Sequence, residues 1–176
     1  IKFLYLKKMN GFGGNNKNQK LNRKSISISP SIEQIINKAI KLQLSGNIRE
    51  ASKYYEYCLD NSINDPRVLC NYGLILRALG DLDKAKLLME KSINIYPNDT
   101  LTLNNLSGVL KDLGKYNEAE DILKKCLEID QRDSITYNNL GNILIYQGKL
   151  DDAEIILKKA ISIKKNDKDA FLNLGV

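Results

Sequence analysis

The chain has no histidine, and that absence removes much familiar catalytic chemistry from its 176 residues. Ser-His and Cys-His nucleophile pairs need an imidazole base, and imidazole metal ligands go with it. Cysteine is scarce. Cys58, Cys70 and Cys126 form no Cys-x-x-Cys pair, which argues against a zinc site and a disulfide scaffold. No apolar run approaches the roughly 20 residues that a membrane-spanning helix needs. Phe3-Leu4-Tyr5-Leu6 is also far too short for the core of a signal peptide. Residues 1–30 lack acidic side chains altogether, while holding the basic residues Lys2, Lys7, Lys8, Lys17, Lys20, Arg23 and Lys24. The expectation is a cytoplasmic chain without a catalytic centre, metal, cofactor or small-molecule ligand.

What the chain does have is repetition. Asn37, Asn71, Asn105, Asn139 and Asn173 recur at intervals of 34 residues. With units written as 32–65, 66–99, 100–133, 134–167 and a partial 168–176, three further columns agree. Gly46, Gly80, Gly114 and Gly148 follow helical patterns, where glycine ends a helix in the left-handed conformation. Ala51, Ala85, Ala119 and Ala153 are small enough for two helices to approach closely. Asp65, Asp99, Asp133 and Asp167 stand where a carboxylate caps the next helix. A 34-residue period built from two helices predicts an all-α solenoid of four hairpins and the start of a fifth. Each unit is too small to bury its apolar face alone, so function is sought on a surface.

The charge divides along the same boundary. The 27 basic and 21 acidic residues give a net +6, and all of that excess lies in the tail. The tail, residues 1–31, is rich in Asn, Gly, Ser and Lys; it is expected to be disordered because it has too little apolar surface to offset its ordering entropy. Gly11-Phe12-Gly13-Gly14 lacks the third glycine and the preceding strand of a phosphate-binding loop. Asp81-Leu82-Asp83 and Asp151-Asp152 pair carboxylates at helix starts, where they answer the helix dipole rather than supply acid and base.

Tyr137-Asn138-Asn139-Leu140-Gly141-Asn142-Ile143-Leu144, followed by Ala153, Leu157 and Ala160, resembles the tetratricopeptide repeat (TPR) motif over about four fifths of the chain. The departures are specific. Leu69, Leu103, Tyr137 and Phe171 stand in place of the motif's tryptophan, Ser107-Gly108 displaces one glycine by a position, and only Pro97 keeps the terminal proline. The first unit has Lys38-Ala39 instead of Leu-Gly. The resemblance implies a right-handed α-solenoid whose first helices line a concave groove. Cys58 and Cys126, which share one column with Ser92 and Ala160, are expected to be small buried packing residues, and Cys70 to be partly exposed near the groove.

At about 100° per residue, the asparagine column lies on the side of each first helix opposite its main apolar positions. The row is similar to the asparagine ladder in the TPR array of O-linked N-acetylglucosamine transferase, where side-chain amides hold an extended peptide by its backbone. By that resemblance the binding residues are Asn37, Asn71, Asn105, Asn139 and Asn173, with Arg77, Asn104, Lys111, Asn138, Asn142 and Tyr146 varying selectivity along the trough. An amide suits this work because it donates and accepts at once. A polar residue on a solvated face also needs no ligand, so the alternative is a row with no partner. The family's carboxylate clamp is not expected, because Ile36, Asn71, Asn105 and Leu101 occupy positions where it needs lysine and arginine.

Two functions of different class follow. The first is a scaffold whose groove binds an extended protein segment. The second is the recruiting arm of a larger glycosyltransferase or sulfotransferase whose catalytic domain lies outside this chain. A weaker reading has the basic tail tether the array to nucleic acid or an anionic membrane. Eight residues precede Met9, which points either to a fragment or to translated sequence upstream of the true start, and the sequence stops within the fifth unit, so the parent protein is expected to continue.

Overall fold

The computed structural model describes residues 30–165 and 168–175, and the basic tail up to residue 29 and Asp167 lie outside them. Among the described residues nine helices follow in order: α1 (Ile32–Leu44), α2 (Ile48–Asp60), α3 (Pro66–Ala78), α4 (Leu82–Ile95), α5 (Thr100–Asp112), α6 (Tyr116–Ile129), α7 (Ser134–Tyr146), α8 (Leu150–Ile163) and α9 (Lys168–Leu174). They form four antiparallel hairpins, α1–α2 to α7–α8, with α9 opening the next. Among the described residues there is no strand, and no helix is long and apolar enough to cross a membrane.

The turn inside each hairpin repeats one device. Gly46, Gly80, Gly114 and Gly148 have φ of +78°, +84°, +73° and +75°, which costs an L side chain energy and costs glycine nothing. The amide after each glycine donates back to a carbonyl five residues earlier, as from Lys115 N to Leu110 O at 2.8 Å. Carbonyls left open at the helix end are thereby satisfied.

Helix starts are less uniform. Ser31 forms a reciprocal capping box with Gln34, and Asp65 and Asp133 accept from the amides of Arg67 and Ile135. Asp99 departs from this: its side chain caps no amide and instead accepts from the Thr102 hydroxyl at 2.5 Å.

The alanine column is almost solvent-free, with Ala51, Ala85 and Ala119 at 0% exposure and Ala153 at 2%. Cys58 and Cys126 are equally buried; burial pushes the Cys58 thiol up and the Cys126 thiol to about 11, consistent with packing rather than reactivity. Apolar layers run continuously through neighbouring units. One cluster joins Ile35 and Tyr55 to Val68 and Ile75, and another runs from Leu76 through Leu106 and Leu123 to Leu144.

Curvature follows from which helices meet. Each first helix touches the first helix of the next unit, whereas second helices of neighbouring units do not approach one another. The array therefore bends with α1, α3, α5, α7 and α9 on its inner side.

Ion pairs tie units together at the edges. Arg67 holds the Glu33 carboxylate bidentately at 2.9 and 2.8 Å, and Glu120 on α6 accepts from both Lys124 and Lys149, at 2.7 and 2.9 Å. Lys124 and Lys149 lower the Glu120 carboxyl from 4.5 to about 2. A depressed carboxyl stabilises the fold above its unfolded pKa, and that stabilisation is lost as pH falls through the folded one. Glu120→Gln should cost about 1–2 kcal/mol at neutral pH. The gap between variant and wild-type melts should close between pH 4.5 and about 2. A gap of constant size across that range would rule out the charge as its cause.

Candidate functional site

The inner face is built from contacts between residues 35 apart. Neighbouring first helices lie side by side with a one-residue offset from the repeat, so the fifth position of one unit meets the sixth of the next. Asn105 Nδ2 donates to Cys70 Sγ at 3.3 Å, Asn139 Nδ2 to Asn104 Oδ1 at 2.9 Å, and Asn173 Nδ2 to Asn138 Oδ1 at 2.9 Å. At three unit boundaries an asparagine of the column is thus tied to the preceding unit by its own side-chain bond. Each amide keeps a second N–H, and the carbonyls of Asn105 and Asn139 accept no bond among the described residues.

The direction of the Asn139–Asn104 bond is set inside the array. Asn104 is only 9% exposed, and its Nδ2 donates to Thr136 Oγ1 at 2.8 Å and to the Thr100 carbonyl at 3.0 Å. A carbonyl can only accept, so the Asn104 amide nitrogen is held inward and its oxygen is left for Asn139.

The other two members of the column differ. Asn71 has Ile36 where the others have a polar neighbour and lies near the Tyr55 hydroxyl, which burial pushes up to about 12 and which donates to Gln43 Oε1 at 2.7 Å. Asn37 is exposed and donates to Glu33 of its own helix at 3.1 Å.

The same 35-residue offset governs the far end of the helices. Arg77 Nε donates to Asp112 at 2.6 Å, and Lys111 Nζ lies 5.2 Å from the centre of the Tyr146 ring, which stacks on Tyr116.

Between these rows, α3, α5 and α7 enclose a recess of about 260 Å³ lined by Arg77, Asn104, Asn105, Ser107, Gly108, Lys111, Asn139, Asn142 and Ile143. Six residues that the resemblance placed in the trough therefore meet in one hollow. Asn138 and Asn173 lie beside it, Asn173 donating to Asn138 and accepting from Asn142, and Tyr146 stands at the rim, 53% exposed. Asn37 and Asn71 lie outside it.

Two expectations change. Asn104 is a buried inter-unit connector rather than an open groove residue, because Thr100 and Thr136 take its amide. Cys70 is buried, at 6% exposure, because Asn105 covers its sulfur. Ser107 and Gly108 were not expected to line the site. Their signal was the displaced glycine, but its consequence depends on a side chain from the preceding unit.

Models of the tetratricopeptide repeat match residues 66–99 and 99–166. The chain belongs to the tetratricopeptide repeat family. Solved TPR structures agree in fold. A MamA fragment from Desulfovibrio magneticus RS-1 superposes with a TM-score of 0.73 at 21% identity, covering 85% of this chain and 84% of its own. YrrB, described as a TPR protein with an unusual peptide-binding site, gives 0.68 at 21% identity over 82% and 75% of the two chains. The first TPR domain of Spaghetti (RPAP3), solved with the HSP90 peptide SRMEEVD, gives 0.59 at 19% identity over 62% and 87%. No curated protein matches the sequence significantly. Among the described residues of this TPR array, no group of three or more His, Cys, Asp or Glu side chains could hold a metal ion.

Proposed function

We propose that this TPR array is a protein-interaction module whose inner face takes an extended segment of a partner protein along the asparagine row. The observation that carries the reading is the pair Asn105 and Asn139. Each amide is held in place from the preceding unit, and each carbonyl is left open on the concave side. Such a group meets a peptide N–H without prior reorganisation, which keeps the entropic cost of binding low.

Leu101 and Ile135, one turn before these asparagines, are 67% and 58% exposed and supply an apolar shelf for the partner's side chains. That YrrB is described as binding peptide and that the RPAP3 domain was solved with one are consistent with this use of the fold. No observation favours the recruiting-arm reading over it.

The test is a peptide library displayed against the intact chain, followed by affinity measurements on wild type and an Asn105→Ala, Asn139→Ala double variant. Two lost hydrogen bonds at about 1 kcal/mol each should weaken binding about tenfold or more. The melting temperature should fall only slightly, because each residue also gives up one bond between units. Equal affinity for both proteins would eliminate the row as the docking element.

A further inference from the structure

The recess between α3, α5 and α7 has an electrostatic bias that its row of amides does not explain. Arg77 and Lys111 both line it, and no carboxylate does. Asp112 stands behind them and neutralises only part of this charge, accepting from Arg77 Nε at 2.6 Å and lying 3.8 Å from Lys111 Nζ. Arg77 therefore spends its one inner donor on Asp112. Neither terminal nitrogen of its guanidinium has a hydrogen-bond partner among the described residues.

Gly108 sets the position of those nitrogens. A Cβ at this site would lie 2.5 Å from Arg77 Nη1, 2.9 Å from Cζ and 3.1 Å from Nη2. The guanidinium thus lies flat on the α5 backbone, in space that only a glycine leaves open. Elsewhere the column holds Ile40, Leu74 and Asn142, all of which carry a Cβ. The displaced glycine of the third unit is a seat cut for a cation from the second.

From this geometry we infer that the recess is a carboxylate-binding subsite. Arg77, seated on Gly108, and Lys111 together receive an aspartate or glutamate side chain of the bound segment. The inference rests on the groove reading and narrows it to partners with an acidic residue over units two to four. A guanidinium edge matches the two oxygens of a carboxylate, and a neighbouring ammonium adds charge without demanding geometry. The ligand is an internal side chain rather than a chain terminus, because the asparagine column continues past the recess on both sides, to Asn71 and Asn173.

The test uses peptides selected from the display library on the intact chain, resynthesised in pairs with each Asp or Glu replaced by Asn or Gln. At one position the neutral replacement should weaken binding about tenfold or more, the worth of a charge-assisted pair. C-terminal amidation should have no such effect. Arg77→Gln and Gly108→Ala should each abolish that preference, so that acidic and neutral peptides bind alike. Gly108→Ala is the more telling variant. The clash is with the movable end of an arginine, so helicity and melting should hold or rise while the preference disappears.

Selected peptides that bind through Asn105 and Asn139 but tolerate every neutral replacement would overturn the subsite and leave the groove standing. An acidic preference that survives both variants would also overturn it, and loss of binding on C-terminal amidation would replace the side chain with a terminus. If no selected peptide depends on Asn105 and Asn139, the groove reading falls and the subsite with it.

Discussion

Gly141→Val should destabilise the array by about 3 kcal/mol, the upper part of the range for overpacking a filled interior. A Cβ at Gly141 would lie 2.6 Å from both Cγ and Cδ2 of Leu157 and 3.4 Å from its Cδ1. Leu157 is 1% exposed, and Ala153 and Ala160 of the same helix are buried at 2% and 0%, so the leucine has no open space to move into. The hairpin must open, or both side chains must take unfavourable rotamers.

Helix propensity alone predicts the opposite sign, since replacing an interior glycine by alanine ordinarily gains up to about 1 kcal/mol. Gly141→Ala is thus a sharp companion: it should also destabilise, whereas Gly108→Ala, whose clash is with a mobile arginine tip, should not. Denaturation of the three variants, followed by circular dichroism, checks the ordering. If Gly141→Val melts like wild type, the packing of α7 on α8 is looser than these distances indicate.

Asn104→Asp should cost about 3 kcal/mol at neutral pH, although the change is nearly isosteric. The amide nitrogen it replaces faces the Thr100 carbonyl at 3.0 Å, the Thr136 hydroxyl at 2.8 Å and an Asp133 oxygen at 3.4 Å. A carboxylate oxygen there can donate to none of these acceptors, and it faces a carbonyl and a like charge instead. The damage should spread, because the Asn104 side chain both anchors α7 through Thr136 and accepts from Asn139. Partner binding should weaken together with stability. The same contacts raise the new carboxyl's pKa, so as pH falls toward about 4 it becomes a donor again and part of the loss should be recovered. A variant that melts like wild type at neutral pH would show that the buried amide connects nothing.

The predicted effects also show which parts of the molecule a one-dimensional reading reaches. Hairpin turns were legible because one glycine at a fixed position carries the whole conformational demand, and its φ is local. The alanine column was legible for a related reason: close helix approach needs a small residue at that position whatever the neighbours are. The aspartate column was legible only in part. A carboxylate can cap an amide or bond a nearby hydroxyl, and at Asp99 the choice went to Thr102.

The asparagine column was visible, but what each amide does was not. Asn105 and Asn139 occupy equivalent positions and yet bond to a cysteine sulfur and to another asparagine. Each outcome depends on the residue 35 places earlier, and nothing in the periodicity singles that residue out. The resemblance places Asn104 in the trough beside Asn105, but stacking gives the two different surroundings. A helix turns by about 100° per residue, which is enough to carry one side chain to the open face and the next into the joint between units.

Periodicity therefore determined the number of helices per unit, where each hairpin turns, and the helix face on which the asparagines lie, because these depend on backbone preferences and spacing within one unit. Which amides lock to which neighbours, how Arg77 comes to rest on Gly108, and where a hollow opens between α3, α5 and α7 were decided only by stacking. Those contacts join residues from different units, and their geometry exists only once one hairpin has packed against the next.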